Sequence, residues 1–173
     1  MSNVSQFIGS GWVPLETIEV TSAVANVNFD SNIDDTFNNY VVTGTHTLSG
    51  NSNVFCRLKK DDPSPIISTN YRSLYTGPGS STNNTFNNAS VATITYYSGS
   101  FVAYFMNLRS SDAFKSIVSQ ATGYTSTSGG TMHALGYNNA LLDTSIINGI
   151  QILLSSGFNI NAGIFTLYGI KEL

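Results

Sequence analysis

Charge is what this sequence has least of. Only 10% of its 173 residues are Asp, Glu, Lys or Arg, ten acidic against seven basic, where ordinary soluble domains carry about 25%. No basic stripe can be drawn, so duplex nucleic acid is not an expected partner. Lys59-Lys60 is answered at once by Asp61-Asp62, which reads as a solvated strand end and not as a phosphate site. Cysteine is nearly absent. Cys56 alone can form no intrachain disulfide and no thiolate metal site, and its setting Val54-Phe55-Cys56-Arg57-Leu58 reads as a buried, inert thiol. The two histidines, His46 and His133, lie on separate expected strands without a partner at ligand spacing, so neither metal nor cofactor is expected. His46 alternates with Thr45 and Thr47 and reads as a surface strand residue. No uncharged apolar run reaches the length of about 18 residues that a membrane span needs, so no membrane insertion is expected. The first residues lack the basic start and apolar centre of a signal peptide. The sequons at Asn3, Asn83 and Asn88 then follow from a composition rich in Asn, Ser and Thr.

What is present is apolar and aromatic. Hydrophobic residues make up 41% of the chain and aromatic ones 12%, enough for one core in one domain. Residues 1–11 are polar and read as a flexible N-terminal arm that orders only against a partner. Residues 12–173 read as a single β-sandwich domain. About ten runs have strand character. In Ala25, Val27 and Phe29 the apolar positions alternate with Asn26 and Asn28, as a half-buried strand requires. Pro14 places the early part of the first strand at a sheet edge, and Gly44 marks a bulge in the run Tyr40–Leu48. Phe114–Tyr124 is read as a strand in preference to a helical turn. Ser98-Gly99-Ser100 reads as a hairpin turn between Val91–Tyr97 and Phe101–Leu108. Residues 76–90 read as a long exposed loop and the preferred site of proteolytic nicking. The last two runs, Ile146–Leu154 and Ile164–Lys171, flank a Ser/Gly/Asn loop in the manner of a hairpin, and both are apolar enough to be central strands. Connections after the second and fourth strands are too long for a meander. The expected fold is therefore all-β, a two-sheet antiparallel β-sandwich resembling a jelly roll.

Candidate chemistry is sparse. Asp34-Asp35 and Asp61-Asp62 are adjacent pairs whose members would face opposite ways on a strand, whereas glycoside hydrolysis needs two carboxyls across one cleft. A cross-loop pair such as Asp34 with Asp62 would be required, and turn capping is the simpler role. Asp30, Asn32, Asp34 and Asp35 cluster oxygens without the spacing of an EF-hand. No Gly-x-Ser-x-Gly elbow occurs, and no catalytic residue is assigned. The aromatics are the better lead. Tyr71, Tyr75, Tyr97, Tyr124 and Tyr137 fall at or near expected strand ends, among Asn, Asp and Ser, and are the candidate glycan-binding residues: rings for the apolar faces of sugars, polar groups for their hydroxyls.

Several segments run in a familiar order: Trp12, Leu15-Glu16-Thr17, Val27-Asn28-Phe29, Phe37-Asn38-Asn39-Tyr40, Phe55-Cys56-Arg57-Leu58 and Tyr71. The chain closes on Ile147-Asn148-Gly149-Ile150 and then Gly-x-x-x-Leu-Tyr-Gly at Gly163, Leu167, Tyr168 and Gly169. Over roughly residues 12–171 this resembles the distal β-sandwich domains of tailed-bacteriophage tail fibres and related virion structural proteins. The resemblance implies a non-enzymatic virion protein, a tail-fibre or fibre-tip component. It implies a homotrimer whose N-terminal arms meet other virion proteins, and a contact with host surface polysaccharide. The alternatives are a capsid or baseplate decoration subunit of the same fold and, from another class, a polysaccharide hydrolase.

Overall fold

A computed structural model describes residues 11–60, 67, 69–76, 84–89, 92–96, 98–124, 132–155 and 157–171. Most of the N-terminal arm, Asp61-Asp62-Pro63, Tyr97 and residues 77–83 and 125–131 lie outside the described residues. The strands are β1 (Trp12–Val20), β2 (Asn26–Phe29), β3 (Asn39–Leu48), β4 (Asn53–Lys60), β5 (Tyr71–Thr76) and β6 (Asn84–Ala89). They continue with β7 (Ala92–Tyr96), β8 (Ser98–Met106), β9 (Lys115–Tyr124), β10 (Met132–Leu141), β11 (Ile147–Leu154) and β12 (Ile160–Ile170). An eight-stranded sheet has the order β1-β12-β3-β8-β9-β10-β5-β6, and a four-stranded sheet the order β2-β11-β4-β7. Every pairing is antiparallel.

The connectivity is that of a jelly roll. The first four strands alternate between the sheets, and the second half of the chain returns along them: β7 pairs with β4, β8 with β3, β11 with β2 and β12 with β1. The chain is thus one long hairpin rolled up into two layers. The strands β5, β6, β9 and β10 are additions, and all four extend the large sheet beyond β8.

This topology corrects four local expectations. The last two runs are not a hairpin. Strand β11 lies between β2 and β4 in the small sheet and β12 between β1 and β3 in the large one. Both are central strands, as their apolar content implied. Ser98-Gly99-Ser100 is not a turn. It opens β8 and pairs with Tyr124, Gly123 and Thr122 of β9, while β7 belongs to the other sheet. Residues 84–89, expected within a loop, form the edge strand β6 against β5. Gly44 is not at a bulge, since its register is continuous on both sides. A Cβ there would lie 2.4 Å from the Phe101 ring, so glycine is required by the ring that packs over the strand. Two other expectations hold: β9 is a strand throughout, and β1 is an edge strand whose register shifts between Pro14 and Glu16.

Period two sorts the side chains. Val54, Cys56 and Leu58 of β4, Phe101, Ala103 and Phe105 of β8, and Phe165 and Leu167 of β12 point between the sheets and are buried. His46 follows the same parity as Tyr40 and Val42. It is only 5% exposed and lies nearly parallel to the Phe165 ring at 6.1 Å, with Phe101 at 5.8 Å. The surface reading of His46 is therefore corrected: Thr45 and Thr47 face out and the histidine faces in. Two large buried polar side chains are matched by backbone groups. The Tyr40 hydroxyl donates to the Asp34 carbonyl (2.8 Å) and accepts from its N–H (3.0 Å). Lys115, fully buried, donates to the carbonyls of Ser110, Ala113 (3.0 Å) and Thr144 (3.4 Å), tying together the loops at one end. Burial pulls its pKa below the ordinary lysine value.

Candidate functional site

The face of the large sheet that turns away from the core is the candidate site. Antiparallel register sets its rows. One row runs Thr17, Thr166, Thr43, Val102, Gln120, Gly136 across β1, β12, β3, β8, β9 and β10. The next row toward one end runs Glu19, Ile164, Thr45, Ser100, Thr122. Toward the other end lie Tyr168, Val41, Tyr104 and Val118. Each row is two residues from the next, about 6.8 Å along the strands.

Three aromatic rings gather at that second end. Trp12 meets Tyr168 at 5.5 Å and Tyr104 edge-on at 5.9 Å. Trp12 stands on β1 and Tyr104 on β8, three strands away, or about 14 Å at ordinary strand spacing. The rings must therefore lean toward each other across β12 and β3. They roof Val41, which is why an outward-facing valine is fully buried. Trp12 itself remains 41% exposed.

Beside this cluster the face opens into a groove of about 780 Å³, within the ~300–1,000 Å³ of small-ligand sites. Its lining includes Thr43, Thr45, Thr122, Thr166, Ser100 and Gln120, with Ile164, Val102 and the backbone at Gly44 and Gly136. None of the lining residues is charged. The hydroxyls are paired along the rows: Thr17 with Thr166 at 3.1 Å and Ser100 with Thr122 at 3.1 Å. A hydroxyl has one donor and two acceptor sites, so each keeps capacity for another partner.

Two of the tyrosines expected to bind glycan are placed away from this face. Tyr71 and Tyr137 are corrections, at 0% and 1% exposure, because their positions point between the sheets. The Tyr71 hydroxyl accepts the Leu58 N–H at 2.8 Å, and burial raises its pKa. Tyr75 lies on β5 opposite Tyr137, and Tyr124 ends β9 opposite Met132. Tyr97 lies outside the described residues. The sequence reading missed Tyr104, and it missed Tyr168 and Trp12 as a pair. The alternation Ile164, Thr166, Tyr168 against Phe165 and Leu167 was the available signal.

The acidic residues are occupied structurally. Asp30 pairs with Lys59 at 2.7 Å and Asp35 with Arg109 at 2.6 Å. Asp34 accepts the Thr36 N–H at 2.9 Å, which holds its pKa below the usual value. Asp62 lies outside the described residues. Among the described residues no group of three His, Cys, Asp or Glu side chains is placed to hold a metal ion, and no helix is long and apolar enough to cross a membrane. Cys56 is fully buried and its pKa is raised by burial. The groove lining offers hydroxyls and an amide, with the three rings beside it, and contains no charged side chain. No protein-family model matches the chain, and no curated protein matches it.

Proposed function

We propose that this chain is a bacteriophage virion structural protein, a tail-fibre or fibre-tip jelly roll that contacts surface glycan of the host and has no enzymatic role. The observation that carries the reading is the eight-stranded sheet with a wide outer face whose groove is lined by hydroxyls and by no charged residue. Jelly rolls serve capsid and lectin domains alike, and a fold alone does not select among them. The closing motif at Gly163, Leu167, Tyr168 and Gly169 favours the fibre. Its residues have separate duties here: Leu167 fills the core, Tyr168 joins the outer aromatic cluster, and Gly169 lies under the Phe37 ring, where a Cβ would come within 2.4 Å. A hydrolase reading draws no support from the described carboxylates, since Asp30 and Asp35 are held in ion pairs.

The protein is expected to assemble as a homotrimer, because low charge lets identical polar surfaces meet without stranding ions. The 1–11 arm is expected to meet other virion proteins. Gold-labelled antibody against this chain should mark the tail fibres of purified particles. Labelling of the capsid or baseplate would replace the fibre reading with the decoration reading, and particles without the chain would end both. Sedimentation should give a trimer mass that is lost on deleting residues 1–11, and a monomer at micromolar concentration would refute the assembly.

A further inference from the structure

We propose that the outer-face groove is a binding site for neutral, linear oligosaccharide, with Trp12, Tyr104 and Tyr168 as its stacking platform and Thr43, Thr166 and Gln120 as its hydrogen-bonding floor. From the reading above this takes only the contact with surface glycan. Position on a particle plays no part in it.

Four observations converge on this occupant. The first is shape. The groove crosses β12, β3, β8 and β9 and is open along the sheet, which suits an extended chain more than a compact ligand. The second is the absence of charge among the lining residues. A carboxylate, sulfate or phosphate placed there would give up its water and meet no cation, a desolvation that hydroxyls alone do not offset. Neutral sugar hydroxyls meet the reverse situation. They exchange water for Thr, Ser and Gln groups that are already ordered along the rows by the pairs Thr17–Thr166 and Ser100–Thr122. The third is the placement of exposed apolar surface. Among the described residues the large hydrophobics that remain exposed are Trp12, Phe114 and Ile164, and two of the three stand on this face. Trp12 is at the aromatic end and Ile164 is in the groove lining. A pyranose has one face of C–H groups, which stacks on such rings while its rim of hydroxyls turns to polar neighbours. The fourth is preorganisation. Trp12 is fixed by Tyr104 and Tyr168 and lies across a buried Val41, so little side-chain freedom remains to be lost on binding.

The chain carries one tryptophan, so its fluorescence reports on this platform alone. Purified full-length protein would be titrated with short linear gluco- and manno-oligosaccharides, and with oligogalacturonate and oligosialate of matched length. At least one neutral series should give a saturable change in Trp12 emission, with the acidic series weaker by about tenfold or more. Tyr104→Ala should weaken the neutral series by about tenfold. Gln120→Glu and Thr166→Lys, both on the exposed face, should remove binding without shifting the melting temperature. No saturable response to any neutral series would overturn the proposal, as would equal affinity for the acidic series or unchanged binding in the groove variants. Should Thr166→Lys instead break an oligomer whose Trp12 emission is blind to sugar, the face is covered by a second copy and the proposal fails. Fibre labelling and this titration fail independently, so loss of one does not decide the other.

Discussion

Leu167 and Tyr168 are neighbours on β12, and replacing each in turn should give very different results. Leu167 is fully buried, its strand lies between β1 and β3, and it faces the small sheet. Strand β12 is held on both sides, with Leu167 opposite Glu16 and Val42, so the backbone cannot move in to fill a void. Leu167→Ala should therefore cost about 3–4 kcal/mol, in the middle of the range for buried leucines. For a domain of this length one kcal/mol corresponds to about 2–4 °C in melting temperature, which gives a fall of about 6–16 °C. Tyr168→Phe keeps the ring against Trp12 and removes only a hydroxyl on the half-buried outer face, so its effect should stay within about 0.5 kcal/mol. Thermal melts followed by far-UV circular dichroism, together with urea midpoints, measure both. A Leu167→Ala protein that melts with the wild type would refute the central placement of β12. A Tyr168→Phe protein as unstable as Leu167→Ala would refute the assignment of faces.

Three further outcomes follow from single contacts. Gly44→Ala should destabilise by about 1–3 kcal/mol through overpacking against Phe101, and Phe101→Leu in the same chain should recover part of that in urea unfolding. Burial opposes ionisation of Asp143, but the hydrogen bonds from Lys60 and Ser145 outweigh it and lower its pKa to about 2. With an unfolded value of about 3.9, its stabilisation is complete above that pH and is lost as pH falls toward 2. The loss is about 1–2 kcal/mol after allowing for the partly exposed Lys60, and Asp143→Asn should show a flatter acid limb in urea midpoints. Lys115→Met removes the shared donor of three carbonyls and should cost about 2–4 kcal/mol, read as a lower thermal midpoint.

Apart from β6, strand content was legible because it is a local property. Alternation in Val54, Cys56 and Leu58, or in Phe165 and Leu167, declares a half-buried strand wherever it lies. Sheet membership is not local. Strands β7 and β8 are separated by a single residue, as a tight hairpin would be, yet they belong to opposite layers. The same holds for β11 and β12, with five residues between them. Nothing in those connecting residues distinguishes a turn within a sheet from a crossing between sheets. The distinction comes from the whole rolled chain, in which β12 must reach β1 and β3 while β11 reaches β2 and β4. Gly44 was misread for a related reason, since the ring that requires it comes from β8, far along the chain.

The site was harder to read because its parts are individually ordinary. Thr43, Ser100, Gln120 and Thr166 are what any solvent-facing strand position carries. Tyr104 and Tyr168 sit at the same parity as those residues, so they had no mark to separate them from rim tyrosines. Tyr71 and Tyr137, which drew attention by lying near expected strand ends, point inward: β10 runs on past Tyr137 to Leu141, and Tyr71, at the start of β5, reaches across to the Leu58 N–H of β4. Only the strand order β1-β12-β3-β8-β9 sets Thr17, Thr166, Thr43, Val102 and Gln120 in one row and brings Trp12 over Val41 to meet Tyr104. The low charge noted at the outset then acquires a location. The lining of this groove contains none of it, while Asp30, Asp35, Lys59, Lys60 and Arg109 are taken up in ion pairs elsewhere. In the proposed oligosaccharide contact, a groove lining without charge leaves salt little to screen, so the affinity should hardly change with ionic strength.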